Sequence, residues 1–167
     1  YRDISRALSF YLWILVLPLT IPFCIAGYCE WIAAPELYPQ PPAALAFLVT
    51  IISCLLLGSI FWLIGQKSTG HLFRREALLL VLIVYFLTPA LGAIPCLVSG
   101  ALKNPIDAYF EAVSGITTTG ATVMMARNID PQTGSEEPIK KTFSTGAKTT
   151  YSFYGTISPV INPTTKE

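Results

Sequence analysis

Three stretches of this sequence, residues 7–29, 43–64 and 77–98, are almost wholly apolar, and each is long enough to cross the hydrocarbon core of a bilayer. A helical crossing takes about 20 residues. In that medium every backbone N–H and C=O must be satisfied inside the segment, so each run is expected to be a helix. The composition agrees: 53% of residues are hydrophobic and 13% charged, against roughly a quarter charged in ordinary soluble domains, and mean hydropathy is +0.56. The first run is too long for a signal-peptide core and lacks a small-residue cleavage site, so it reads as a retained span. Prolines at 18, 22, 89 and 95 are tolerable in membrane helices and are expected to bend them near their outer ends. A net charge of +1 supplies no basic field, which sets nucleic-acid binding aside.

Orientation follows from the basic residues. Arg2 and Arg6 precede the first run, and the connection 65–76 carries Lys67, His71, Arg74 and Arg75. The connection 30–42 has glutamates and no base. The amino terminus and the 65–76 loop are therefore expected on the cytoplasmic side, where lipid headgroups offer contacts. Tyr28, Trp31 and Tyr38 suit an outer interfacial belt, and Trp62 an inner one. Cys24, Cys29, Cys54 and Cys96 form no CxxC pair and read as packing residues. A Cys29 to Cys96 disulfide near one face has no support in the sequence.

The chain does not simply leave the membrane after the third run. Asn104 offers an N-cap oxygen, Pro105 fits the first helical position, and Asp107 suits the positive helix end. These signals predict a helix over 105–116. Its length, about 18 Å, is too short to span, so it is expected to be a re-entrant half-helix. The run that follows, Thr117, Thr118, Thr119, Gly120, Ala121 and Thr122, must then line a cavity or pack inside a bundle. A helix entering from outside points its carboxyl end inward, where unpaired carbonyls favour a cation. Gly120 can take positive backbone angles, while Thr118, Thr119 and Ala121 are small enough to pack tightly. Thr117 and Thr122 can contribute hydroxyls. Such a strand can turn backbone oxygens toward one axis and replace the water shell of a dehydrated cation. A threonine-glycine run alone is more often a surface turn; the capped short helix and the Ser114-Gly115-Ile116 lead-in favour the filter reading.

The expected fold class is an all-α polytopic membrane protein, with transmembrane helices, a re-entrant pore half-helix and an extended filter strand. Residues 1–64 hold a transmembrane helix pair, 65–76 a cytoplasmic basic loop, 77–125 the third span, half-helix and filter, and 126–167 an extracytoplasmic polar loop or insertion of weak order. Within that last region, 143–147 echoes the filter without a capped helix before it, and Asn162-Pro163-Thr164 is barred from glycosylation by its proline.

Three groups of residues, Arg74-Arg75-Glu76, Gly92-Ala93-Ile94-Pro95 and the run from Asp107 to Thr122, resemble the first membrane-pore-membrane repeat of the Trk/Ktr/HKT superfamily of potassium transporters, most nearly the bacterial Trk-type potassium-uptake subunit. The resemblance implies potassium uptake at the bacterial inner membrane through four repeats in one chain, each giving one filter strand. It assigns ion-facing backbone oxygens to Thr118, Thr119, Gly120 and Ala121, with Glu111 as a supporting carboxylate or a satisfied polar residue. It implies no resident cofactor, a transported potassium ion with sodium or proton as a coupling ion left open, a homodimer, and a cytoplasmic nucleotide-binding regulatory subunit facing Lys67, His71, Arg74 and Arg75. The chain holds one filter segment, begins at Tyr1 and ends in a polar run, so it is expected to be an N-terminal fragment of a larger transporter. If it were whole, a nonconducting assembly or anchoring protein would be the better reading. An enzyme is not expected: the spans lack Asp, Lys and Arg, the single histidine lies in a loop, and Gln66-Lys67-Ser68-Thr69-Gly70 lacks the spacing of a phosphate loop. Ser53 and Ser59 read as helix-packing residues beside Gly58.

Overall fold

Each apolar run forms a single helix, and the first and third helices begin in the polar flank before their runs. In the computed structural model, which describes residues 1–32, 42–68, 70, 73–130, 132–145 and 147–157, these helices are α1 (Arg2–Trp31), α2 (Ala43–Gly65) and α3 (Arg74–Val98). All three are long and apolar enough to cross a membrane. α3 begins at Arg74 rather than at residue 77 because the Glu76 carboxylate reaches back to the Phe73 N–H at 3.2 Å, satisfying a donor that the first turn would orphan. Pro18 and Pro22 lie inside α1, and Pro89 and Pro95 inside α3.

α1 packs on α2, and α2 on α3. Close approach depends on small residues: a Cβ on Gly58 would lie 2.7 Å from the Trp13 indole, and one on Gly65 2.8 Å from the Arg6 backbone. Ser53 and Ser59 do not share in this contact through their hydroxyls, which bond Val49 and Leu55 carbonyls of their own helix. Leu8, Leu12, Cys54 and Leu91 form the buried centre of the bundle. Carboxylates lace both ends of the α1–α2 pair: Asp3 accepts from Ser68 Oγ and Gly70 N, and Glu30 caps α2 at Ala44 N, 2.7 Å away. Ile14, Leu17, Ile21 and Ile25 remain exposed along α1, an apolar stripe suited to lipid or to further helices. Tyr28 and Trp31 are exposed at its end. All four cysteines are free, Cys29 and Cys96 included.

A fourth helix, α4 (Pro105–Ile116), lies on α3. Ala93, Leu102 and Ala108 are buried between them, joined by Val123, Met124 and Ile157 from beyond α4.

Weak order is expected from residue 126 onward, but the described residues of 126–157 include paired strands. Short strands β1 (Asn128–Ile129) and β2 (Glu136–Glu137) pair antiparallel, as do β3 (Ile139–Thr145) and β4 (Ala147–Phe153). Backbone pairing runs from Ile139 opposite Phe153 to Thr145 opposite Ala147. The chain then returns to where it left: Thr156 N and Ile157 N donate to Met125 O, and Arg127 N donates to Ile157 O. Gly155 makes this closure possible, because a Cβ there would lie 2.4 Å from the Ala126 carbonyl oxygen. Tyr38, Thr69, His71, Gly146 and the Asn162 to Thr164 tripeptide lie outside the described residues.

Candidate functional site

α4 starts and stops as its sequence dictates. Asn104 Oδ1 accepts from Ile106 N at 3.1 Å, Pro105 takes the first helical position and Asp107 lies in the first turn. The helix sits tightly on α3, where a Cβ on Gly92 would come within 3.4 Å of Ala112 Cβ.

At the other end Thr118 N donates to Gly115 O at 3.3 Å and Thr119 N to Ser114 O at 3.1 Å. This is the Schellman pattern, in which the residue after the cap is left-handed and is usually glycine. Here it is Thr118, with φ of 55°. A β-branched side chain in that region is a genuine outlier, costing roughly 1–2 kcal/mol. Such strain persists only where surrounding bonds over-determine the backbone. Thr117 contributes to that, bonding Val113 O through both its N–H and its hydroxyl, the latter at 2.8 Å; its hydroxyl also meets that of Thr119 at 2.7 Å. Gly120, at φ of 71°, takes the positive angle expected of it.

One expectation is corrected. Unpaired carbonyls are expected at the helix end, but the turn through 117–119 supplies an N–H donor to those of Val113, Ser114 and Gly115. The helix dipole also acts at this end, with no basic residue in the last turn to oppose it.

Beyond Gly120 the chain folds back along α4. Ser114 Oγ donates to Ala121 O. Glu111 Oε1 accepts from Thr122 Oγ1 at 2.9 Å and Oε2 from Val123 N at 3.0 Å. Both carboxylate oxygens are thus engaged by the returning strand, through charge-assisted bonds. An open depression of about 260 Å³ lies here, lined by Glu111, Ser114, Gly115, Thr118, Gly120, Ala121 and Thr122. The residues expected to form or support the filter thus lie together, Glu111 on α4 and residues 117–122 in the segment that follows it, with Glu111, Thr118, Gly120, Ala121 and Thr122 lining the depression. Ser114 was named only as part of a lead-in, yet its spacing of three from Glu111 puts both on one helix face, and that was the available signal.

No protein-family model matches the chain. Over 84 residues it is 38% identical to the Trk system potassium uptake protein TrkH of Escherichia coli (strain K12), a match covering 50% of this chain and 17% of that protein. It is 28% identical over 124 residues to the Trk system potassium uptake protein TrkG of the same strain, covering 74% of this chain and 24% of the relative. TrkH of Halomonas elongata is 31% identical over 88 residues, 52% of this chain and 18% of its own length. The chain thus matches a quarter or less of the length of each of these relatives. With its three apolar helices it is a multi-pass membrane protein. The comparisons bear out the resemblance read from the residues, and the chain is a relative of the Trk-type potassium-uptake proteins.

Proposed function

We propose that this chain supplies one of four filter segments of a potassium-uptake transporter, with α4 as a re-entrant pore half-helix and residues 117–122 as the filter strand. The observation that carries the reading is the clamped return of the chain along α4, with left-handed residues at Thr118 and Gly120 at its tip. Plain extended strands turn successive peptide groups to opposite sides, so departures at 118 and 120 suit a strand that must gather carbonyls on one side. Backbone oxygens of Thr118, Thr119, Gly120 and Ala121 face the ion in this reading, replacing its hydration shell. Thr117, Thr122 and Glu111 support them. The helix dipole adds negative potential at the carboxyl end of α4.

The transported potassium ion is substrate and no resident cofactor is needed; the chain is not an enzyme, and sodium or protons remain the coupling ions to test. The protein resides in the bacterial inner membrane with its amino terminus in the cytoplasm, the side that carries Arg2, Arg6, Lys67, Arg74 and Arg75. That face meets lipid headgroups and a nucleotide-binding regulatory subunit, and the transporter is a homodimer. The outer side carries the excursion from residue 126 onward.

The test is growth at low external potassium of a bacterial strain lacking its own uptake systems. Rescue by the full reading frame, lost in a Gly120→Asp version that still reaches the membrane, is the expected result. No rescue by the full frame despite membrane expression would overturn potassium uptake, and rescue by Gly120→Asp would remove Gly120 from the pore.

A further inference from the structure

In α1 to α3 every serine and threonine hydroxyl turns back onto its own helix. Ser5, Ser9, Thr20, Thr50, Ser53, Ser59 and Thr88 all donate to a carbonyl three or four residues earlier. That is the default for these side chains in a helix, because the i−4 carbonyl is always within reach. Ser114 is the exception. It is only 6% exposed, and it donates forward, across the loop, to the carbonyl of Ala121. A buried hydroxyl that forgoes its local partner for one seven residues ahead fixes the position of that carbonyl.

The chemistry of the target gives this bond a consequence. A carbonyl that accepts a hydrogen bond has one lone pair engaged and its dipole drawn toward the donor, so it presents a weaker and less mobile field to a cation. Selectivity among alkali ions depends on the number and field strength of the coordinating carbonyls. Stronger fields favour the smaller, more strongly hydrated sodium ion. Glu111, one turn earlier on the same helix face, holds the neighbouring Thr122 and Val123 without touching a filter carbonyl, so the restraint on Ala121 O falls to Ser114.

We infer that Ser114 is a positioning residue for ion discrimination, restraining the Ala121 carbonyl so that this segment presents potassium with a weakened outermost oxygen. The inference rests on the filter reading of residues 117–122. Removal of the hydroxyl leaves the Ala121 carbonyl with its full field and freer to close on a smaller ion, which favours sodium, whereas threonine at 114 keeps the donor.

The test uses the full-length transporter in potassium-uptake-deficient cells, with potassium and sodium uptake measured separately at matched membrane levels for wild type, Ser114→Ala, Ser114→Thr and Gly120→Asp. The expected result is that Ser114→Ala carries potassium with its potassium-over-sodium ratio lowered roughly three- to tenfold, the range that one neutral hydrogen bond carries, and that Ser114→Thr restores the ratio. An unchanged ratio in Ser114→Ala, or loss of uptake in both Ser114 variants alike, would overturn the role of Ser114. If Ser114→Ala does not reach the membrane, Ser114→Cys, similar in size and a weaker donor, is read by the same criterion. Transport by Gly120→Asp would instead overturn the filter reading, so the two failures are distinguishable.

Discussion

Similar sequence occurs twice in the chain, as TTTGAT in residues 117–122, where the chain folds back along α4, and as STGA in residues 144–147, at the adjoining ends of the paired strands β3 and β4. In the hairpin, strands on either side of the reversal pair with one another residue by residue, so backbone groups are satisfied by backbone groups. In the first reversal the returning segment 121–123 has no strand partner among the described residues. It is held by side chains one helical turn apart, Glu111 on Thr122 and Val123 and Ser114 on Ala121, and the clamp leaves residues 118–120 beyond it at the exposed tip. Threonine and glycine content therefore does not decide what such a run becomes. The helix that precedes it decides, by presenting acceptors and donors along one face.

The largest effect expected from this contrast is at Glu111. Glu111→Ala removes two bonds to a charged acceptor, each worth about 1.5–3 kcal/mol, and is expected to cut potassium uptake by the full transporter more than tenfold. In the hairpin, Thr142→Ala removes only the hydroxyl contact with Thr150, 3.0 Å in length, a cross-strand pair worth about 0.2–1 kcal/mol, and uptake is expected to be unchanged. Equal loss in both variants, measured by ion flux at matched expression, would erase the distinction between the two reversals.

A middle-sized effect is expected at the seam where the excursion rejoins the α4 layer. Gly155→Ala drives a methyl group into the backbone of Ala126 and Arg127, an overpacking cost of about 1–3 kcal/mol. Limited proteolysis is expected to cut residues 126–157 faster while the α4 loop stays protected. Equal loss of protection in both would mean that the excursion and the filter loop are one cooperative unit.

The smallest effect concerns the turn between β1 and β2. Asp130 is held below its ordinary value of 3.8, first by the Thr133 hydroxyl and then by the Gln132 N–H. Because the folded carboxyl has the lower value, its contribution is present above 3.8 and is lost as pH falls through that depressed value. In an NMR titration, the Gln132 and Thr133 amide signals are expected to shift with a midpoint below 3.8 and to stay still in Asp130→Asn. A midpoint at or above 3.8 would remove the carboxylate from the turn.

Much of this molecule was legible in local sequence signals. The bounds 105–116 for α4 follow from Asn104, Pro105 and Asp107 at one end and the threonine run at the other, and the helix has those bounds. The spans follow from hydropathy alone. The hairpin did not, although Thr, Tyr, Phe and Ile in 139–153 favour strands, because polarity drew that region toward a loop reading. The pairing of the α4 end carbonyls and the forward bond of Ser114 both depend on Thr118 adopting φ of 55°. Propensity argues against that conformation for threonine, so neither was visible before the fold.

The most direct test is anomalous diffraction from the full-length transporter grown with thallium in place of potassium. Thallium density in contact with the backbone oxygens of residues 118–121 is expected, weakened when potassium is added back. A well-ordered filter loop with thallium elsewhere and none beside these oxygens would contradict the account.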